Sequence, residues 1–481
     1  MIVILENKKI KTNKSIYLLI VICLFLTSCQ NSKELVVVSQ TTKTNILFIF
    51  ADDWGWGDLS GHGHPYIKTP NIDRLIAEGT DYQRFTVASG VCSPSRTSVM
   101  TGHFPARYNI NGHFAWAYQN EERNMPDWLD NETTLLPKLL QSNGYATAHF
   151  GKWHLSNNMI NDSPTPDKYG YDVYGAFNCS GEQMPYYEDE VKTIEFIKKA
   201  QKDNKPFFVN MWLHEPHTPH HVVPKYQWKF KDLEEKDNIY ASVIAHADER
   251  IGKVLNALDR LNLTENTLVV FSSDNGPARA STNAQLKTYL DTATGVGYNT
   301  AASVGVTGDR KGYKAALFEG GIGVPFIARW PGKIKAGVID NVSLMSAVDL
   351  LPTFCDIAGV ELPNKYQPDG MSQKSTLKGK FYPLRTKPLF WKIDGKWPIK
   401  KAMPNHWVSY AIVDQQWKLV ANKDLSYVEL YNISEDIFEK KNLKENHPKI
   451  VNSLIEKIKN WQNTLPEKPN KKLFSKGRTS I

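Results

Sequence analysis

One segment of the chain, residues 91–102, combines residue types that can do chemistry. It reads Val-Cys-Ser-Pro-Ser-Arg-Thr-Ser-Val-Met-Thr-Gly. Its Ser-Pro-Ser predicts a turn into a helix with Pro94 near the first helical position, where the missing N–H costs nothing. Cys92 would then lie at the positive end of a helix, and Arg96, one turn later, could direct its guanidinium to the same place. The segment therefore predicts an anion site. The alternative for Cys92, a small buried hydrophobe, leaves Pro-Ser-Arg unexplained.

Four apolar runs read as buried strands, and polar residues follow each of them. The runs are residues 46–51, 146–150, 207–213 and 268–272. The residues that follow are Asp52 and Asp53, then Lys152 and His154, then His214, and finally Asp274 and Asn275. Continuous apolar runs are typical of a mostly parallel sheet covered on both faces. Open α/β sheets bind ligands beyond the carboxyl ends of their strands, so we expect these ends to converge on one site.

Four of these residues, Asp52, Asp53, Asp274 and Asn275, offer only hard oxygen ligands. Such donors suit Ca²⁺ or Mg²⁺ and argue against zinc. An Asp-Asp pair alone is weak support, because carboxylates after a strand often cap a helix. The second pair, at the end of another strand, strengthens the prediction of a metal site.

Helical patterns alternate with the strands, which predicts an α/β fold with a large mostly parallel sheet between helices. The helices are predicted at residues 70–78, 135–143, 189–202 and 239–261. Residues 318–322 and 325–330 are expected to return to the sheet, and residues 343–359 to form a closing helix. Further on, residues 410–413 and 417–420 predict a hairpin, followed by a final helix at 447–465 and a solvated Lys-rich tail from Lys468.

The segment around Cys92 closely resembles the Cys-x-Pro-Ser-Arg signature of the type I sulfatases, in the alkaline phosphatase superfamily. A second signature of that family appears at residues 144–154, Gly-Tyr-Ala-Thr-Ala-His-Phe-Gly-Lys-Trp-His. His103 and Phe150 depart from the usual pattern, at positions without a chemical role. The resemblance runs from about residue 45 to residue 443, and is to bacterial polysaccharide sulfatases and arylsulfatases.

The resemblance implies an alkaline phosphatase-like fold with a smaller C-terminal α+β subdomain containing an antiparallel sheet. It also implies that a separate maturation enzyme oxidises Cys92 to formylglycine, whose hydrate is the nucleophile. One calcium ion per chain would be held by the four oxygen-bearing residues above together with an oxygen of the modified Cys92.

Roles for the charged residues also follow from the resemblance. Arg96 would steady the formylglycine, while Lys152 and Lys314 grip sulfate oxygens. His214 would be the favoured proton donor to the leaving oxygen, with Lys314 nearby. Asp274 would help to deprotonate the attacking hydroxyl.

After sulfate transfer, His154 would remove the proton from the second hydroxyl of the diol, so that sulfate is expelled and the aldehyde returns. His217, His220 and His221 stay open: they line the substrate cleft, or His217 is structural. They are left out of the predicted catalytic set.

The expected function is a sulfuric ester hydrolase acting on a sulfated carbohydrate, from algal polysaccharide or glycosaminoglycan. Aromatic and histidine side chains near the strand ends are candidates to contact sugar rings: Trp54, Trp56, Trp153, Trp212 and His217. Specificity is expected in the loop at 278–308 and around 391–407.

The alternatives are a phosphodiester or phosphonate monoester hydrolase and a catalytically silent carbohydrate-binding relative; the intact catalytic set argues against the silent one. The net charge of +8 suits a polyanion, and no nucleic-acid partner is predicted.

The chain divides, on this interpretation, into five parts. Residues 1–28 are a lipoprotein signal peptide, 29–43 a tether, 44–362 the sulfatase domain, 363–390 a linker, and 391–481 the C-terminal subdomain. Cys179 and Cys355 are left to pair with each other or stay free.

The first thirty residues carry an export signal. Four lysines precede the apolar run 16–26, which is too short to span a bilayer. Leu26-Thr27-Ser28-Cys29 resembles a bacterial lipobox, which would lipidate Cys29 and anchor the protein to a membrane, in the periplasm or at the cell surface. A plain signal peptide is the alternative.

If Cys29 carries lipid, Cys29→Ala should move the protein from the membrane fraction to the soluble fraction, since the anchor is lost. Cell fractionation and immunoblotting measure this, with Cys179→Ala as the matched control. Unchanged membrane association of the Cys29 variant would contradict lipidation.

Overall fold

The computed structural model of the chain describes residues 43–281, 283–291, 295–380, 385–393 and 407–478. Two predicted regions lie outside these residues. They are the signal peptide with Cys29 and the tether up to residue 42, and residues 394–406 of the predicted specificity region. Among the described residues, no helix is both long and apolar enough to cross a membrane.

The strands of the described residues are numbered in chain order. They are β1 (Asn45–Asp52), β2 (Thr80–Tyr82), β3 (Phe85–Thr86), β4 (Ala146–Lys152), β5 (Val173–Phe177), β6 (Phe207–Pro216), β7 (His220–His221), β8 (Thr267–Ser273), β9 (Thr288–Asp291), β10 (Gly295–Tyr298), β11 (Phe326–Arg329), β12 (Val338–Asp340), β13 (Met345–Ser346), β14 (Leu389–Lys392), β15 (Tyr410–Asp414), β16 (Trp417–Ala421) and β17 (Val428–Asn432).

The α-helices of the described residues are numbered in the same way. They are α1 (Pro70–Glu78), α2 (Cys92–Thr101), α3 (Ala117–Glu122), α4 (Leu136–Ser142), α5 (Asp189–Lys202), α6 (Pro224–Lys229), α7 (Glu235–Arg260), α8 (Glu319–Ile322), α9 (Leu350–Ala358), α10 (Lys374–Leu377) and α11 (Pro448–Gln462).

The main sheet has eight strands in the order β12-β2-β11-β8-β1-β6-β4-β5. The neighbours from β8 to β5 are all parallel, and β11 runs against both β8 and β2. The sheet is therefore mixed but mostly parallel, as the apolar runs predict, and the fold is alkaline phosphatase-like.

Both faces of β1 are buried, which explains its continuous apolar sequence. Phe48 and Phe50 pack into one hydrophobic core with Phe354 of α9, while Leu47 and Ile49 pack into a second core on the other face, against α7. Alternate residues of a strand point to opposite faces, so a strand covered by helices on both sides needs apolar residues at every position.

Two sequence predictions outside the four strands were wrong. Residues 318–322 form the short helix α8 instead of returning to the sheet. Residues 343–359 do not form one helix, because Met345 pairs with Phe85 in a parallel bridge and Ser346 caps a 3₁₀ turn with Asp349. Only the second half of that segment is helical, as α9.

The C-terminal segment also differs from the predicted solvated tail. Leu473 and Ser475 are buried, and the Arg478 guanidinium donates to Asp127 at 2.7 Å. The lysines of this segment are exposed, but the residues between them bind the main body of the protein.

The second sheet, β14-β15-β16-β17, is antiparallel throughout, and β15 and β16 form the predicted hairpin. Lys418 of β16 is fully buried and contacts Glu319 of α8 at 2.8 Å and Glu439 at 2.9 Å. The indole N–H of Trp391 donates to the Val87 carbonyl at 2.7 Å. Residues Lys43–Ile481 form one compact unit, while the boundaries at 362 and 390 stay a prediction.

Candidate active site

The register of the main sheet brings the predicted polar residues to one edge. Ala51 lies opposite Ser273, and Phe50 lies opposite Trp212. Asp52 and Asp274, which follow these positions, are fully buried. The carboxyl ends of β1, β8, β6 and β4 therefore meet, as the pattern of apolar runs predicts.

Cys92 is the first residue of α2, and its side chain reaches this edge. The thiol is 2% exposed, and its Sγ lies 3.5 Å from Asp52 Oδ1 and 3.6 Å from Lys152 Nζ. Lys152 also donates to Asp52 Oδ2. Burial raises the pKa of the Cys92 thiol, so the sulfur is held as a neutral thiol.

Arg96 is directed to a carboxylate instead of an open anion site. Its Nε and Nη2 donate to Asp274 Oδ2 at 2.9 and 2.6 Å, and its Nη1 donates to the Lys152 carbonyl at 2.9 Å. The guanidinium also lies 5.0 Å from the ring of Trp212. Arg96 thus connects α2 with the ends of β8 and β4. Although it follows Cys92 by one helical turn, it does not line the cavity above Cys92.

The carboxylate of Asp53 lies close to three further polar side chains. Lys314 Nζ lies 2.7 Å from its Oδ2, Asn275 donates to its Oδ1 at 2.7 Å, and His217 Nε2 is 3.8 Å from its Oδ2. The backbone of Asp53 is left-handed, with φ of 66°. A non-glycine residue in this conformation carries strain, which is often found at functional sites.

The aspartates have different proton affinities despite their similar burial. Burial raises the pKa of Asp52, but the neighbouring positive groups, with Lys152 the largest contributor, together outweigh burial and hold that pKa well below its usual range. Burial and the neighbouring Asp52 charge raise the pKa of Asp274 to about 7. The site therefore favours Asp52 as the fully ionised carboxylate.

The two predicted catalytic histidines are neutral, and each directs its Nε2 to a backbone carbonyl. His154 Nε2 donates to the Phe114 carbonyl at 3.0 Å, and His214 Nε2 donates to the Pro219 carbonyl at 3.1 Å. Burial lowers both pKa values, that of His214 to about 3. Each Nδ1 is buried without a hydrogen-bond partner among the described residues. In this state each Nδ1 is a proton acceptor.

A cavity of about 590 Å³ opens above Cys92. Its charged end contains Asp53, Cys92, Lys152, His154, His217 and Lys314. The rest of the wall is largely apolar and includes Phe114, Trp116 and Met159. A neighbouring cavity of about 290 Å³ shares Lys152 and His217 and is also lined by His214. The predicted catalytic residues are therefore divided between the two cavities, except for Arg96 and Asp274, which line neither.

The residues at the charged end fit a calcium ion. Asp52, Asp53, Cys92 and His217 offer ligand atoms within 4.8 Å of one another. Asn275 Oδ1 is buried without a hydrogen-bond partner in the described residues, although its amide nitrogen is bonded. An orphaned amide oxygen beside two carboxylates is what a hard cation would satisfy.

The four tryptophans named as candidates to contact sugar rings do not line the cavity, whereas His217 does. Trp54, Trp153 and Trp212 are fully buried in the core, and Trp56 stacks on His62 with ring centres 4.1 Å apart. Tryptophans beside the ends of doubly covered strands fill the core. The tryptophan that does line the cavity, Trp116, is 49% exposed and lies in a loop without a distinctive motif.

Other cavity residues outside the predicted catalytic set are His113, His217 and Arg279. The sequence did point to His217, because it follows His214 by three residues at the end of β6. Cys179 and Cys355 are both buried and free, so they do not pair.

The fold and this arrangement define a hydrolase of the alkaline phosphatase-like class. Residues 44–360 match the family model described as Sulfatase, and residues 311–464 match the model described as N-sulphoglucosamine sulphohydrolase, C-terminal. The chain belongs to the sulfatase family. It is a sulfuric ester hydrolase.

Relatives and solved structures agree with this assignment. The N-acetylgalactosamine-6-sulfatase of Sus scrofa is 32% identical over 386 residues, which cover 72% of this chain and 68% of that protein. The N-acetylgalactosamine-6-O-sulfatase of Bacteroides thetaiotaomicron is 26% identical, with coverage of 90% and 95%. The crystal structure of Ps i-CgsB superposes with a TM-score of 0.71 at 25% identity and covers 88% of this chain and 94% of its own.

Proposed function

We propose that this sulfatase removes sulfate from a sulfated carbohydrate, with residue 92 as formylglycine and with one bound calcium ion. The observation that carries the proposal is the meeting of Cys92, Lys152, Lys314 and Asp53 at the charged end of a cavity whose wall also includes apolar and aromatic side chains such as Phe114, Trp116 and Met159. A sulfate group needs cations at one end, and a sugar ring needs room and apolar surface at the other.

The two lysines are suited to bind the sulfate. Lys152 and Lys314, which both follow Cys92 in the sequence, line the cavity, and both are charged, because neighbouring carboxylates raise their pKa values against the effect of burial. When sulfate enters, their ammonium groups can donate to its oxygens. Ammonium groups fixed in a site that excludes water stabilise developing negative charge.

Two groups that the structure lacks would supply the central chemistry. A formylglycine hydrate would supply a hydroxyl nucleophile and a second hydroxyl for release of sulfate. Calcium would supply a positive charge beside the sulfate, with Asp52, Asp53, Asp274 and Asn275 to hold it.

The protein's own residues would then move the protons. His154 has an Nδ1 without a hydrogen-bond partner among the described residues and lines the cavity, which supports its role as the acceptor of the hydroxyl proton. His214 must gain a proton at Nδ1 before it can donate to the leaving oxygen. Asp274, held by Arg96, would assist deprotonation of the attacking hydroxyl.

A saccharide substrate is supported by the cavity wall and by the relatives. Trp116, 49% exposed on the wall, offers an aromatic face of the kind that stacks on sugar rings. The relatives above are named for sulfate on N-acetylgalactosamine. We propose further that the protein is exported and anchored through Cys29, where it would meet sulfated polysaccharide outside the cell.

Cys92 should be found as the aldehyde when the protein is produced with its maturation enzyme, because a buried neutral thiol is a poor nucleophile. Peptide mass spectrometry should show the residue 91–102 peptide lighter by ~18 Da after this oxidation. Cys92→Ala should remove turnover and leave the unfolding temperature near that of the wild type, with Cys355→Ala as the control. Full activity from protein that contains only free thiol would refute the mechanism.

Calcium should raise the temperature of thermal unfolding, since a ligand that binds only the folded state stabilises it, by ~2.7 kcal/mol at 100 times its Kd. Asn275→Ala, which removes a neutral oxygen ligand, should reduce this shift. Asn256→Ala, at an exposed position of α7, should not. Differential scanning fluorimetry with and without EDTA measures both. Elemental analysis that finds stoichiometric zinc and neither calcium nor magnesium would overturn the assignment.

The function is tested by turnover of defined substrates. The wild type should release sulfate from sulfated monosaccharides and disaccharides and should prefer an aryl sulfate to an aryl phosphodiester. Trp116→Ala should raise KM for the saccharides by about fivefold, since an aromatic contact is worth ~1 kcal/mol, with Tyr118→Ala as an exposed control. If every saccharide is untouched while a phosphodiester turns over efficiently, the phosphodiesterase alternative is correct.

A further inference from the structure

Arg279 differs from the lysines that line the main cavity. Lys152 pairs with Asp52, and Lys314 pairs with Asp53. Arg279 lines the same cavity, but no carboxylate of the described residues lies within 4 Å of its guanidinium. The cavity therefore contains a cation whose charge the described part of the chain does not balance.

The position of Arg279 is set by its backbone and by Tyr313. Its main chain forms an antiparallel bridge with Val304, and the next residue, Ala280, donates to the Ser303 carbonyl at 2.8 Å. The guanidinium lies 5.2 Å from the ring centre of Tyr313 and donates to its hydroxyl. The side chain is exposed at the cavity but held in place, so little conformational entropy is lost when it binds a ligand.

Arg279 is also coupled in sequence and structure to the sulfate-binding end. Tyr313 directly precedes Lys314, and Lys314 N–H donates to the Pro277 carbonyl at 3.0 Å. The two segments that present Arg279 and Lys314 therefore support each other. A ligand whose sulfate contacts Lys314 lies in the same cavity as the guanidinium.

We propose that Arg279 binds a second negative group of the substrate, a carboxylate or a second sulfate on the sugar next to the one that loses sulfate. This proposal rests on the proposed function and narrows its substrate class to saccharides with at least two anionic groups. An arginine has five N–H donors in a planar fork, and Tyr313 engages one terminal nitrogen. The other donors match the paired oxygens of a carboxylate or sulfate.

The test compares four substrates: an aryl sulfate, a monosulfated neutral disaccharide, a monosulfated disaccharide with a uronic acid, and a disulfated disaccharide. Arg279→Ala should raise KM about fivefold for the substrates that carry the second anion, in line with the modest strength of an exposed ion pair. It should leave kcat unchanged for all four substrates, and it should leave KM unchanged for the aryl sulfate and the monosulfated neutral disaccharide. Arg279→Lys should recover part of the loss, and added salt should weaken the effect.

The control is Arg260→Ala, an exposed arginine at the end of α7 that does not line the cavity. A preference confined to the uronic acid or to the second sulfate identifies which anion is bound. An equal rise in KM for all four substrates, or no rise for any of them, overturns the role of Arg279 while the sulfatase function stands. A wild type that desulfates none of the disaccharides overturns the proposed function itself, and the assignment to Arg279 with it.

Discussion

The balance of charge at the strand ends is the interaction on which the rest of the structure depends. Asp52 and Asp274 are buried close together, where two negative charges repel strongly. Arg96 and Lys152 lie against them and are themselves buried. Removing a partner from such a cluster would leave a buried charge unpaired, at a cost of ~3–5 kcal/mol. The cluster therefore fixes the relative positions of β1, β8, β4 and α2, which come from distant parts of the chain.

The same balance determines the state of Cys92. The thiol lies at a helix N-terminus beside a lysine, an environment that lowers the pKa of many reactive cysteines. Here complete burial and the adjacent Asp52 carboxylate act in the opposite direction and raise it. The site therefore disfavours thiolate chemistry, which is a physical argument, separate from family likeness, for the proposed modification of Cys92.

The C-terminal sheet extends this organisation beyond the active site. Lys418 contacts Glu319 and Glu439, and Lys311 contacts Glu429 at 2.7 Å. Lys311 and Glu319 lie on either side of Lys314 in the sequence. The segment that carries Lys314 is therefore held between the cavity and the second sheet. Changes in that sheet can reach the cavity through this segment, which also includes Tyr313, the partner of Arg279.

The sequence by itself determined the four central strands, the mostly parallel sheet and the convergence of polar residues, because apolar runs and the residues after them are local patterns. It also predicted Cys92 and Lys152 at one place, and the resemblance to the sulfatases added Lys314. Only the tertiary structure decided which donor meets which acceptor: Arg96 binds Asp274, His217 joins Asp53, and Trp116 instead of Trp153 faces the cavity. Residues 318–322 likewise became helical through their surroundings. Such outcomes depend on contacts between distant segments, and a linear pattern does not encode the direction in which a side chain finally points.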